Sequence, residues 1–177
     1  MPVKNTLIAV LLTILPVIVD AAPGERSGTL QKIAHTRTIA IGFHESTSPF
    51  TYMTGDGTVM GYSYDIALKI AEAVKRELKL PALRIKQIPF TTQSRFPIVQ
   101  NGVSDLSCGA TTNTTERQKM VAFSNTIFVA GSRLMTRNNS GIKDFPDLAG
   151  KNVVTFAAST SEKMLRRMNS EHGLHIN

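Results

Sequence analysis

The chain has no tryptophan, one cysteine and only 6% aromatic residues among its 177. A single cysteine excludes an intrachain disulfide, and with it the small disulfide-stapled scaffolds of secreted proteins. That cysteine lies in Asp105-Leu106-Ser107-Cys108-Gly109, which reads as a buried strand, so the thiol is expected to be a small core residue. A catalytic thiol would need a setting that lowers its pKa, and the surrounding sequence does not supply one. Long blocks of one charge are also missing. The formal charge is +7 and the isoelectric point about 9.8, but the basic residues are scattered, as in Lys75-Arg76, Arg84, Lys86 and Arg166-Arg167. No aromatic-studded basic motif accompanies them. This points to a solvated basic surface rather than a nucleic-acid interface, and it would suit a small anionic ligand.

Metal and catalytic signatures are sparse as well. His35, His172 and His175 have no metal-ligand spacing, so no metal and no other cofactor is expected. Asp56, Asp65 and Asp105 read as turn, helix-cap and strand-edge residues. No nucleophile–base set and no phosphate loop is visible. The sequence therefore gives no reason to expect an enzyme.

What the chain does have is 42% hydrophobic residues, enough for a packed core. Its N-terminus carries Lys4 and then an apolar run from Leu7 to Val19, ahead of Val19-Asp20-Ala21. The run is short for a membrane span of about 20 residues. It is the length of a secretory h-region, so residues 1–21 are expected to be an export signal cleaved after Ala21 or Ala22. Residues 22–36 then form a loose mature segment in which Thr29–Ala34 can be a short helix.

From there the pattern alternates. Thr38–Gly42 reads as a strand, and His44–Pro49 as a polar loop at its end. Thr54-Gly55-Asp56-Gly57 is a turn between extended segments. Ser63 is expected to cap a helix with Asp65 in its first turn. Its apolar stripe is Ile66, Ile70, Val74 and Leu78, with Ala67 and Ala73 beside it, and Pro81 is expected to end it. Leu83–Ile88 alternates like a strand. Thr91 or Ser94 can cap the next helix, with Pro97 in its first turn, Phe96 and Val99 facing inward and Gly102 as its stop. Leu106–Gly109 is a third strand, Thr114-Thr115-Glu116-Arg117 a capped helix start, and Ile127–Thr136 a fourth strand. A second unit begins near Gly141, with a strand at Asn152–Phe156 and a helix starting at Ser159-Thr160-Ser161-Glu162 and stopped by Gly173.

Strands alternating with helices imply an α/β domain with a largely parallel sheet. In such sheets ligands bind at the carboxyl ends of the strands. The loops at His44, Thr91–Arg95 and Ala110–Arg117 all follow strands, so they are expected to open on one crevice. Arg95 and Arg117 stand out there, because a guanidinium holds a carboxylate through two parallel hydrogen bonds.

The block Asn101-Gly102, Asp105 and Glu116-Arg117, set within Thr91–Ser124, resembles the periplasmic solute-binding proteins of family 3. These deliver polar amino acids to ABC transporters, and the likeness is greatest to the glutamate/aspartate-binding members. Gly61-Tyr62-Ser63-Tyr64-Asp65 and Asp144-Phe145 to Gly150-Lys151 extend it across about Ile39–Met168. The resemblance implies a type II two-lobed α/β fold. Lobe one would span 37–136, nearly complete apart from its C-terminal return, and a partial lobe two would span 137–177. It implies a monomeric periplasmic protein that binds an acidic amino acid and presents it to the membrane permease.

By matching position, Arg117 would clamp the α-carboxylate with Thr112 beside it, and the Ala110 carbonyl would meet the α-ammonium. Arg95 and Thr92 would contact the side-chain carboxylate. Ser159 and Thr160 would offer a helix N-terminus. His44 stands where close relatives place another arginine. Replacing one charge-assisted bond of about 1.5–3 kcal/mol would weaken a dicarboxylate roughly 10- to 100-fold or shift preference toward an amide. Two other classes stay open at this level. One is an enzyme on the same scaffold, such as a periplasmic dehydratase or lytic transglycosylase, for which no acid/base pair can be assembled. The other is a truncated relative without binding competence, since the family's later histidine and aspartate, and a later cysteine able to pair with one here, fall beyond Asn177.

Overall fold

The computed structural model describes residues 28–177; the expected export signal and the start of segment 22–36 lie outside the described residues. Helix α1 (Thr29–Thr36) leads into strand β1 (Thr38–His44). A small antiparallel sheet follows, made of β2 (Ser46–Thr47), β3 (Thr51–Met53) and β4 (Val59–Met60). Then come α2 (Tyr62–Glu77), β5 (Arg84–Phe90), α3 (Arg95–Gln100), β6 (Leu106–Ser107) and α4 (Thr115–Gln118). The second unit contains a short 3-10 helix, Phe145–Leu148, and helix α5 (Thr160–His172). Among the described residues no helix is long and apolar enough to cross a membrane.

The main sheet has the order β5-β1-β6 and is parallel throughout. Strand β1 is its centre, and its five inner residues are all buried. A strand covered on both faces is expected to read as a continuous apolar run, as Ile39-Ala40-Ile41-Gly42-Phe43 does. Its two faces differ in size. The odd positions Ile39, Ile41 and Phe43 join Ile33 of α1 and Tyr64, Ala67 and Ala71 of α2 in one core. The even positions Ala40 and Gly42 are small because α3 and the following loop press on that face. A β-carbon at Gly42 would lie 3.1 Å from Ile98 Cδ1, 3.1 Å from Ser104 Oγ and 3.2 Å from Phe90 Cδ1.

The crossovers place the site. The path from β1 through α2 reaches β5 on one side of β1, and the path from β5 through α3 reaches β6 on the other. The sheet therefore reverses its winding at β1, and the loops after β1, β5 and β6 emerge together at the carboxyl edge.

Several local expectations need correction. The buried face of α2 is Tyr64, Ala67, Ala71 and the capping Leu78, while Ile66 and Ile70 are half-exposed and Ala73 is exposed. A strict spacing of four advances about 40° per step and slides off the face, whereas alternating steps of three and four stay on it. Ser63 does not cap α2. Gly61 holds that position, at φ +126°, and the first amides donate to the Pro49 and Phe50 carbonyls. Ser63 instead donates to the Gly109 carbonyl at 3.2 Å. Residues 127–136 and 152–156 form no strand. An apolar pattern becomes a strand only when another backbone supplies the ladder, and among the described residues 127–136 has no such neighbour. Val129 and Met135 are 86% and 99% exposed. Residue 152 has the beginning of one: Asn177 N–H donates to the Lys151 carbonyl and Val153 N–H to the Asn177 carbonyl, both at 2.9 Å. The segment after α5 thus comes back parallel to the segment before it.

Cys108 is buried in the main core, and that burial pushes its thiol up to about 11, the setting of an inert cysteine. Asp105 is more than a strand-edge residue. Its side chain is 4% exposed, accepts from Ala40 N–H at 2.9 Å and pairs with Lys32 Nζ at 2.6 Å. It ties α1, β1 and the approach to β6 together. Asp105→Ala is expected to destabilise the protein by about 1–3 kcal/mol, because it leaves the part-buried Ala40 amide without its acceptor and removes the Lys32 ion pair. Urea denaturation checks this, and a loss below about 1 kcal/mol would contradict it.

Candidate functional site

Three loops meet at the carboxyl edge, each held by its own backbone chemistry. After β5, Thr91 N–H donates to Ser94 Oγ at 2.9 Å and Ser94 N–H donates to Thr91 Oγ1 at 3.2 Å. These reciprocal bonds close the turn that precedes α3; Ser94 holds the N-cap position but its side chain accepts from no amide of the helix. After β6, Thr114 Oγ1 accepts from Arg117 N–H at 3.3 Å and starts α4. In the second unit Ser159 Oγ accepts from Glu162 N–H at 3.0 Å and caps α5.

Arg95 and Arg117 converge. Arg95 Nη2 donates to the Ala158 carbonyl at 3.0 Å, and Arg117 Nη2 reaches the same oxygen at 3.5 Å. Arg117 Nη1 also donates to the Thr112 carbonyl at 2.8 Å. Both guanidiniums lie against the Phe96 ring, 4.9 and 5.4 Å from its centroid. Phe96 is therefore not a core residue facing inward but a half-buried platform under two cations; Ile98 takes the inward role.

The electrostatics follow from this crowding. Burial, reinforced by the neighbouring Arg117 charge, lowers Arg95 to about 10. Burial likewise lowers Arg117, with Glu116 acting against it. Arg95 Nε is buried and makes no hydrogen bond. Two guanidiniums with five N–H donors each thus have two carbonyl oxygens between them, those of Ala158 and Thr112, an excess of donors and positive charge that an anion complements.

Lobe-to-lobe contacts surround this centre. Thr112 Oγ1 lies 3.3 Å from Thr160 Oγ1, and Lys163 Nζ bridges both Glu116 oxygens at 2.8 and 2.9 Å. A cleft of about 500 Å³ opens here, lined by Thr114, Arg117, Ala158, Ser159, Thr160 and Lys163 among others. A second hollow of about 300 Å³ holds His44, Glu45, Phe90, Thr92, Gln93 and Phe156. Ala158 lines the first space, and its neighbours Phe156 and Ala157 line the second. The structure thus gathers Arg95, Thr112, Arg117, Ser159 and Thr160 at one end and His44 with Thr92 at the other. Ala110 is exposed in the loop after β6 and lines neither space. Among the described residues no group of His, Cys, Asp or Glu is arranged to hold a metal ion.

Sequence reasoning missed the Ala158 carbonyl, the Phe96 platform and the Glu116–Lys163 bridge. Each arises from a contact between distant segments, which no local pattern announces.

A parallel α/β sheet with a second unit folded over its carboxyl edge, and arginines in the crevice between, has the architecture of the two-lobed, type II periplasmic-binding-protein fold. The profile of the bacterial extracellular solute-binding proteins, family 3, matches residues 39–173, and the chain belongs to that family. It is 47% identical over 174 residues to the L-glutamate/L-aspartate-binding protein of Pseudomonas aeruginosa, covering 98% of this chain and 56% of that one. It is 51% identical over 152 residues to the glutamate/aspartate import solute-binding protein of Salmonella typhimurium, covering 86% and 50%. Among solved structures, an ancestral arginine-binding protein bound to arginine matches with a TM-score of 0.67 and 28% identity, over 79% of this chain and 59% of that one. An ancestral amino acid-binding protein, a precursor of cyclohexadienyl dehydratase, matches with a TM-score of 0.72 and 25% identity, over 85% and 63%. The chain spans about half the length of the curated relatives it matches.

Ala158 itself is strained. It is a non-glycine residue at φ +59°, held there while its N–H donates to Glu162 Oε2 at 2.7 Å. The left-handed region costs an L-residue about 1–2 kcal/mol, partly offset by the greater unfolded-state entropy of glycine. Ala158→Gly is expected to stabilise the second unit by up to about 1 kcal/mol, read as slower hydrogen exchange in α5. Faster exchange would show that the alanine methyl contributes more than the strain takes away.

Proposed function

We propose that this chain forms the ligand-gripping part of an extracytoplasmic solute-binding component of an ABC importer, and that its ligand is an acidic amino acid, glutamate or aspartate. The observation that carries this reading is the convergence of Arg95 and Arg117, both half-desolvated, on a single carbonyl oxygen. A carboxylate in place of that carbonyl brings two charged acceptor oxygens to donors that now share one neutral acceptor. The names of the P. aeruginosa and S. typhimurium relatives support the ligand class.

The lobes run 37–136 and 137–177, and the ligand is trapped between them by hinge closure. Thr112, Ser159 and Thr160 line the cationic end, His44 and Thr92 the other, and the Ala110 carbonyl receives the α-ammonium. The protein acts as a monomer in the periplasm, reached through the signal at residues 1–21, and hands its ligand to the permease subunits. Binding and release are its whole task; no bond is made or broken.

Isothermal titration of the purified protein with glutamate tests this. Arg117→Ala is expected to weaken affinity at least 10-fold, the consequence of losing one or two charge-assisted bonds of about 1.5–3 kcal/mol. A folded Arg117→Ala protein that binds glutamate as tightly as the parent would sink the assignment.

A further inference from the structure

Basic residues that are scattered in the sequence are gathered by the fold at the edge of the sheet opposite the crevice. Strand β1 runs from that amino edge to the crevice, and its length separates the two by about 20 Å. Three segments meet there. Helix α1 ends in Arg37, α2 ends in Lys75-Arg76-Glu77 with Lys79 just beyond, and β5 begins at Arg84. Hydrogen bonds tie them down. Arg84 N–H donates to the Arg37 carbonyl at 2.9 Å, its Nη2 to Thr38 Oγ1 at 3.2 Å, and Leu80 N–H to the Lys75 carbonyl at 3.0 Å.

Arg37, Arg76, Lys79, Arg84 and Lys86 are exposed, and Lys75 is half-buried. The carboxylates on the same segments are Glu72, 4.0 Å from Lys75, and Glu77. Positive charge is therefore in excess on this face. The α2 dipole favours Lys75 and Arg76 at its C-terminus, but Arg37, Arg84 and Lys86 belong to other elements.

An aliphatic turn lies among the cations. Leu80 and Leu83 pack against the core, while Pro81 and Ala82 between them are exposed, and Ile85 is 36% exposed beside Lys86. Aliphatic rather than aromatic side chains give nucleic-acid bases no surface to stack on. Ringed by lysine and arginine, they suit a bilayer interface, where the apolar tip meets the acyl boundary and the cations meet phosphates.

We propose that this face, with Arg76, Lys79, Arg84 and Lys86 around Pro81-Ala82, docks the protein reversibly on anionic phospholipid bilayers. The crevice lies at the other end of β1, so the docked protein keeps it open to solvent. The inference does not depend on which ligand the crevice holds.

Co-sedimentation of the mature protein, without the expected signal at residues 1–21, measures this with vesicles of phosphatidylcholine alone or with about 30% phosphatidylglycerol. Binding to the anionic vesicles is expected to be at least about 10-fold stronger, and to be largely lost between about 0.1 M and about 0.5 M salt. Lys79→Glu combined with Lys86→Glu is expected to weaken it at least about 10-fold. Arg137→Glu combined with Lys143→Glu makes the same charge change at exposed positions of the second unit, and is expected to leave binding within about 3-fold. The chain has no tryptophan, so Ala82→Trp reports on the turn alone; its emission is expected to shift to the blue on anionic vesicles and not on neutral ones. Equal binding to neutral and anionic vesicles would overturn the inference. So would equal weakening by the two double variants in folded protein, which would assign binding to net charge alone. Duplex DNA or a polyglutamate peptide bound through Lys79 and Lys86 more tightly than the vesicles would give the face to another partner and overturn it as well.

Discussion

Strand β1 is the constraint on which everything else rests. It is buried on both faces and paired on both edges, by β5 over its full length and by β6 near its end. Its odd residues are bulky and fill the core with α1 and α2; its even residues are small and let α3 approach. Each fully buried isoleucine or phenylalanine contributes about 1.5–3 kcal/mol, so Ile39, Ile41 and Phe43 together outweigh any single polar contact in this structure. The same strand is where the sheet reverses its winding, and the reversal brings three loops to one edge. The site is thus a consequence of how the central strand divides its faces.

The chemistry at that edge is a surplus of donors. Two guanidiniums share an aromatic platform and one carbonyl oxygen, and burial lowers both. Bringing like charges together in a half-desolvated crevice is unfavourable unless something negative joins them. The hydroxyl contact between Thr112 and Thr160 and the ion pair between Glu116 and Lys163 hold the second unit over the crevice. The threonine and Glu116–Lys163 contacts span the two units beside the arginines.

The apolar segments left outside the ladder show where this chain's own contacts stop. Ile127, Phe128 and Val129 are exposed, with Phe128 joining Phe50 and Tyr62 in an aromatic cluster. Val154 and Phe156 are exposed beside a single parallel rung to Asn177. The relatives extend to about twice the length of this chain.

Much was legible in the residues themselves. The strand at Thr38–Gly42, the turn at Thr54-Gly55-Asp56-Gly57 and the caps at Thr114 and Ser159 depend on near neighbours in the chain, so local pattern suffices to find them. Arg95 and Arg117 stood out through the family resemblance of the segment around them, not through local pattern alone. Tertiary structure alone decided the rest. The face of α2 that is buried depends on which small residues let it approach β1. The failure of 127–136 to become a strand depends on a partner backbone that no pattern in that segment can supply. The meeting of Arg95 and Arg117 on Ala158, residues 63 and 41 positions apart from it, depends on the second unit folding back over the first. Hydrogen bonds between distant segments are set by where whole elements pack, and the chain encodes that only through the core they share.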